Sequence, residues 1–426
     1  MTSTANAGIT IPAGDWTIDI SGNINAYYQN TRSSGGVGAT GAVATGRDAN
    51  GDRVANGINT GLLPSWIGFT GKTRQNDMDV SWTISFQPQV SDNGVTGDGA
   101  AGASSNSQFL NRQTFLTFGD ASWGSIKLGK DLGVFASDAI LSDMTLLGVG
   151  AGSGISGSPI NTTIGGIGTG YIYAAWKGQI AYTTPVFANG FQATVALTNP
   201  NQGFQSVNMD RLGFEGKASY TWAGDVSGKV WASFASYDVT TAKTVNQQAV
   251  CADAAGAVTA ADLGAACATG STTLLAGSTL GDSKSYTAQA YDLGANVNFG
   301  NAGLTAYYYN GRGAGTTLFG SLGADANGKK RDSNGGYVQA TYVIPTGTKL
   351  GVAYGVSKLD DTAADRSAGV SLVETNRRWT VGAYHPLTKS LNLVAEYNDV
   401  KSEAQNYINE ADAKSKNISL GAILFF

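Results

Sequence analysis

The sequence predicts an all-β fold, a 16-stranded antiparallel transmembrane β-barrel with long extracellular loops and short periplasmic turns. Three observations predict it. Apolar and polar residues alternate with a period of two over segments longer than an ordinary globular strand. Seven short turns rich in Gly, Asn and Asp alternate with eight long polar loops. The composition also departs from that of a soluble domain: only 14% of the 426 residues are charged, against roughly 25% normally, and 59 are Gly. No run approaches the roughly 18 apolar residues of a membrane helix, whereas a tilted barrel strand crosses in about 9–11.

The first strand shows the pattern. Trp16, Ile18, Ile20, Gly22, Ile24, Ala26 and Tyr28 form one face; Thr17, Asp19, Ser21, Asn23, Asn25, Tyr27 and Gln29 form the other. Val80, Trp82, Ile84 and Phe86 repeat it, as do Tyr291, Leu293, Ala295, Val297 and Phe299 around Asp292. Leu391, Leu393, Ala395 and Tyr397 do so with Val394 as an exception, and Ile418, Leu420, Ala422, Leu424 and Phe426 close the series. Aromatics near the short turns (Trp16, Phe69, Phe299, Phe426) suit an interfacial girdle. The opposite face is small and polar, as a wet lumen requires. A lysine turned to lipid at mid-membrane costs about 2–4 kcal/mol, and an aspartate less, so the register is determined.

Sixteen strands are expected near 15–32, 58–72, 77–90, 108–119, 123–131, 171–185, 190–199, 210–222, 226–240, 285–299, 303–313, 334–345, 348–360, 373–387, 390–402 and 414–426. Turns fall at 74–77, 119–121, 187–190, 223–225, 300–303, 345–347 and 387–389, where Gly, Asn and Asp tolerate positive φ. Long loops lie near 33–57, 91–107, 132–170, 200–209, 241–284, 314–333, 361–372 and 403–413. An even count places both termini on the turn side. Residues 1–426 read as a single barrel domain, and closure of the first strand on the last removes the open edge that a bilayer forbids. The start Met1-Thr-Ser-Thr-Ala has no charged-then-apolar leader, so a mature form is expected.

Few residues suggest other chemistry. A net charge of −4 without a long basic run gives no support for nucleic acid as a partner, and none is expected. Cys251 and Cys267, an even pair in an exported chain, are expected to form a disulfide within the long loop. The sole histidine, His385, sits before Pro386 near a turn and is read as a turn residue. One histidine supplies neither a Ser-His catalytic repertoire nor a zinc cluster, so an enzyme is not expected. Asp48-Ala49-Asn50-Gly51-Asp52 and Asp325-Ala326-Asn327-Gly328 have oxygen ligands at alternate positions but no bidentate Glu at the required spacing. They read as solvated turns, with loop-bound calcium as the lesser alternative and no other cofactor expected. Arg377-Arg378 and Lys329-Lys330-Arg331 read as loop charges in water or on outer-leaflet phosphates, lipopolysaccharide included. Tyr27, if lumenal, reads as packing rather than a resting point for sugars.

Three segments resemble the Gram-negative general porins. They are Trp66-Ile67-Gly68-Phe69-Thr70-Gly71, Asn111-Arg112-Gln113-Thr114-Phe115-Leu116-Thr117-Phe118-Gly119 running into Trp123-Gly124-Ser125-Ile126-Lys127-Leu128-Gly129-Lys130, and Ala181-Tyr182-Thr183-Thr184-Pro185 with Gly190-Phe191. The terminal Phe426 matches the aromatic that the barrel-assembly machinery reads in that family. The resemblance implies a homotrimeric outer-membrane channel for passive diffusion of small hydrophilic solutes and ions. It also implies an inward-folded third loop, here about 132–170, whose acidic residues face a basic wall. Carried over, Asp138 and Asp143, with Asp131 at the loop's base, oppose Arg112, Lys127 and Lys130. Trp66 stands where the family often has a lumenal arginine, and the loop is Gly/Ser/Ile-rich after Asp143, so a less polarised constriction is expected. The three aspartates favour a mild cation preference. A channel specific for one solute class is the nearest alternative, ahead of a barrel enzyme and a β-rich adhesin.

Overall fold

Each alternating segment forms an antiparallel strand paired with its chain neighbours. The computed structural model describes residues 8–47, 51, 53–88, 90, 110–152, 162–199, 211–240, 245–252, 258–260, 272–280, 284–405 and 412–426. The wall begins with β1 (Ile9–Ala13), β2 (Trp16–Gly35), β3 (Arg53–Asn59), β4 (Trp66–Gln75), β5 (Met78–Gln87) and β6 (Leu110–Asp120). It continues through β7 (Gly124–Leu132), β8 (Trp176–Thr183), β9 (Phe191–Thr198), β10 (Gly213–Trp222) and β11 (Val226–Thr240). A separate three-stranded sheet follows, made of β12 (Val245–Ala252), β13 (Val258–Ala260) and β14 (Thr272–Leu280). The wall resumes with β15 (Ser285–Phe299), β16 (Ala302–Arg312), β17 (Asp332–Val343), β18 (Lys349–Leu359), β19 (Val373–Pro386), β20 (Leu391–Ala404) and β21 (Ala413–Phe425). Short helices α1 (Ser137–Ser142) and α2 (Ala363–Ala368) and a 3-10 turn at Met144–Leu147 lie in the connections.

The eighteen hydrogen-bonded wall segments make sixteen staves. Strands β3 and β4 both pair with β2 and are one stave interrupted by residues 60–65. Strand β21 pairs with β2 up to Phe425 opposite Asn23, and β1 then takes over with Ile9 opposite Ile20. At the seam Gly22 N donates to Phe426 O at 2.9 Å and Phe426 N returns the bond to Gly22 O at 3.1 Å. The sheet thereby closes on itself. Asn76 and Asp77 take φ of 47° and 60°, the positive values that a two-residue hairpin requires.

The two faces separate as alternation demands. Ile24, Tyr28, Leu293, Tyr291, Val381 and Leu420 point outward and are exposed, while Asn23, Asn25, Asp292, Thr380 and Ser419 point inward and are buried. Val394, out of phase in the sequence, faces inward and packs beside Tyr27, Val149 and Tyr384. No helix among the described residues is long and apolar enough to cross a membrane. The spanning elements are the strands.

Several boundaries differ from the sequence expectation. The second stave breaks at Thr60–Ser65, where the Asn25 carboxamide accepts from Gly61 N and donates to Leu63 O, each at 2.9 Å. Asn23 Nδ2 donates to Pro64 O at 3.1 Å, and this proline has no amide to offer a ladder. The sixth stave starts at Trp176 rather than 171, because Ala175 turns the chain at φ 55° and Tyr171 leaves for the lumen. The third loop therefore runs from Gly133 to Ala175. Within the expected loop 241–284, backbone pairing of β12 with β14 builds the small sheet. The pairing of Cys251 with Cys267 lies outside the described residues, as do Asp48, Asn50 and Asp52.

Candidate functional site

The third loop enters the barrel and is held there by wall residues from many staves. Buried Glu215 on β10 accepts from Val134 N at 2.6 Å, Phe135 N at 3.0 Å and Lys177 Nζ at 2.6 Å, and from the Tyr237 hydroxyl. Across the lumen, Glu396 Oε2 on β20 accepts from Val149 N and Gly150 N at 2.9 and 2.8 Å, while the Tyr384 hydroxyl donates to its other oxygen at 2.6 Å. Gln339 accepts from Met144 N, and the Tyr337 and Tyr27 hydroxyls donate to Ala139 O and Leu147 O. Tyr27 is thus a packing residue. Gly355 lets Thr169 O approach so closely that a Cβ there would collide with it.

These anchors divide the lumen. Phe135, Ile164, Ile167 and Tyr171 of the loop pack with Trp231, Tyr237, Tyr307, Tyr309 and Tyr337 of the wall into one apolar cluster. The inner face there is dry, contrary to the expectation of a small, polar lumen throughout. Along the turn-side halves of β4–β11 the inner face stays partly exposed and carries hydroxyls. Thr70 pairs with Thr83 at 3.1 Å, Ser81 with Thr117 at 2.6 Å and Thr183 with Thr194 at 3.0 Å. On the turn side of this wall opens a recess of about 700 Å³ edged by Lys72, Arg74, Asp79 and Asp120.

The expected site residues divide into three groups. Asp138 on α1 and Asp143 do face bases, but bases on other staves. Asp138 pairs with Lys217 at 2.9 Å and with Lys229; Asp143 lies 3.5 Å from Arg378 and accepts from the Tyr171 hydroxyl at 2.9 Å. Burial pushes the Asp138 carboxyl up, and Lys217 and Lys229 outweigh it, holding the carboxyl below the usual range. Asp131 and Lys127 are lumenal and pair with each other, while Lys127 also sits 4.8 Å from the Phe115 ring centroid. Arg112 reaches the lumen beside Gln113 because the β5–β6 register skips it. Trp66 sits on the face of Asn23, its ring over Gly68.

Lys130 is a correction. Three residues from Lys127 on an alternating strand, it shares the outer face of Ile126 and Leu128, is exposed, and donates to Asn111 O at 2.9 Å. Arg378 and Arg331 are corrections in the other direction. Arg378 is buried in the lumen, leaving only Arg377 outside its phase and paired with Glu403 at 2.5 Å. Arg331 forks onto Asp365 at 2.8 and 2.6 Å and also donates to Leu322 O and Ala324 O. Lys217, Lys229 and Arg378 were absent from the expected wall, although Phe214-Glu215-Gly216-Lys217 shows both charges on one face by alternation. His385 Nδ1 lies 2.9 Å from the Thr348 hydroxyl near the turn, as expected. The Asp325 carboxylate is engaged by Asn327 N, Lys329 N and the Thr362 hydroxyl, the bonding of a turn.

The sequence profile of the Gram-negative porin family matches residues 1–405. No curated protein matches. Among solved structures, the outer membrane channel DcaP of Acinetobacter baumannii is similar at 15% identity and a TM-score of 0.62, covering 99% of this chain and 100% of that one. The trimer form of OmpT of Vibrio cholerae aligns at 14% identity and TM-score 0.52, covering 96% and 99%. Salmonella typhi OmpF in complex with daunomycin aligns at 18% and 0.51, covering 97% and 100%. A closed sixteen-stave barrel with an oily outside, a third loop folded into it, and a family match over nearly the whole length assign the chain to the Gram-negative porins, outer-membrane channels for passive diffusion.

Proposed function

We propose that the channel assembles as a homotrimer and passes small hydrophilic solutes with a mild preference for anions. The supporting observation is which member of each ion pair meets water. Around Asp138 the carboxylate side chain is 8% exposed, while Lys217 and Lys229 are 21% and 32% exposed. Asp131 is 12% exposed against 32% for Lys127. Lumenal charge at a constriction sets ion preference through the field it presents to the passing ion. Here that field comes from ammonium groups over buried carboxylates, which reverses the cation preference expected from counting aspartates.

The reversal potential across a bilayer holding unequal KCl concentrations measures the sign. Wild type is expected to favour chloride, and the double variant K217Q/K229Q to move toward or past neutrality. A wild-type preference for potassium would refute the reading. The trimer rests on the OmpT trimer form among similar folds. A monomeric mass in mild detergent would exclude it. Contact with outer-leaflet lipopolysaccharide remains part of the same proposal for the barrel's outer face.

A further inference from the structure

Beside the third loop, on the long-loop side of the constriction, the lumen holds a chamber of about 210 Å³ at the edge of the apolar cluster. Leu62 and Pro64 from the break in the second stave, Leu132 at the end of β7, and Ile140, Leu141 and Leu146 of the third loop supply its apolar lining. Tyr173 and Trp176 add aromatic faces, and Thr162 and Thr163 hydroxyls. Arg112 is the charged side chain among the described residues that line it. Two features set the chamber apart from the rest of the cluster it borders. Leu141 is 51% exposed although it lies within the lumen. The register skip at Arg112 puts a guanidinium on the inner face beside Gln113, at the loop end of β6.

A path for ions and sugars alone has no use for such a lining. Sites for small organic ligands combine an apolar wall with a few placed polar groups, and a guanidinium recognises a carboxylate by paired, charge-assisted hydrogen bonds. We infer that this chamber is a docking station for a monoanion with an apolar body, an aromatic or branched aliphatic carboxylate. Its ring or branch lies against Leu62, Leu141 and Trp176 while its carboxylate faces Arg112. The station concentrates such solutes just before the constriction. It rests on the proposed passage of small hydrophilic solutes through the channel.

Single-channel recording tests the two separately. Conductance in KCl alone reports the passage. Phenylacetate added on the loop side then reports the station, with acetate as the charge-matched solute lacking a ring and phenethylammonium as the ring of opposite charge. Phenylacetate is expected to reduce the current saturably, and acetate and phenethylammonium to do so at least tenfold less effectively. R112Q is expected to raise the half-blocking concentration at least tenfold. L141S, at a position already half exposed, is expected to raise it about threefold or more. Conductance that phenylacetate and acetate affect alike, or block that is unchanged in L141S, would overturn the station while leaving the passage standing. Absence of conductance in folded protein would overturn both.

Discussion

Glu396 shows how much one carboxylate decides in this lumen. A single oxygen accepts two consecutive backbone amides, Val149 and Gly150, from a loop 247 residues away in the chain. Hydrogen bonds to a charged group contribute about 1.5–3 kcal/mol each, and a buried donor left without a partner adds to the loss. Gly148 is required at the same place, because a Cβ there would strike the Glu396 carboxylate. Replacing the acid by its amide keeps the shape but removes the charge and one acceptor site. E396Q is expected to fold into the barrel yet show larger open-channel current fluctuations than wild type. Single-channel noise indistinguishable from wild type would exclude Glu396 as the anchor.

Loops outside the membrane have a comparable clasp. Helix α2 starts with a capping box: the Thr362 side chain accepts from Asp365 N at 3.2 Å, and the Asp365 carboxylate accepts from Thr362 N at 2.9 Å. The same carboxylate receives the fork from Arg331, tying the connection after β16 to the one after β18. Arg331 holds the Asp365 carboxyl below the usual carboxylate range, against a smaller upward push from burial. A depressed folded value means the clasp contributes fully above the ordinary aspartate value near 4 and fades as pH falls through the lowered one. Hydrogen exchange at Gly369 and Val370 is therefore expected to accelerate in strong acid relative to pH 7, after correction for the intrinsic rate. R331A leaves a buried carboxylate without its cation, a loss of about 3–5 kcal/mol, and is expected to produce the same acceleration at pH 7. Protection unchanged in R331A would refute the clasp.

For the barrel as a body, one residue decides between two worlds. Asp292 is buried inward and accepts from Ser233 N and the Tyr307 hydroxyl, while its neighbour Leu293 is 62% exposed and faces lipid. A lysine at mid-membrane costs about 2–4 kcal/mol. L293K is expected to lower the stability of the folded barrel in vesicles by that order, measured by denaturant titration, whereas L293A loses only apolar area. Equal stabilities for L293K and L293A would contradict an oily surface at this position. The same contrast underlies how far the fold could be read in advance. Outward residues at mid-membrane are apolar because lipid is uniform, so the pattern repeats and a reader sees it in Tyr291–Phe299 or Ile418–Phe426. Inward residues answer to whatever stands opposite, and so follow no repeat.

Strand number, the in-or-out phase of each stave and the sides of turns and loops were legible because each is local: a strand of period two and a turn rich in Gly and Asn carry their meaning within a dozen residues. Asp138 and Asp143 were offered by the resemblance alone. The partners of those acids were not legible. Arg378 reaches Asp143, and Lys217 and Lys229 reach Asp138, only after closure of the sheet and infolding of the third loop bring distant staves together. Lys130 was misplaced by resemblance where its own alternation with Lys127 already put it outside. The dry half of the lumen, the apolar chamber and the clasp of Arg331 on Asp365 belong to the closed barrel, since each joins side chains that no local pattern relates.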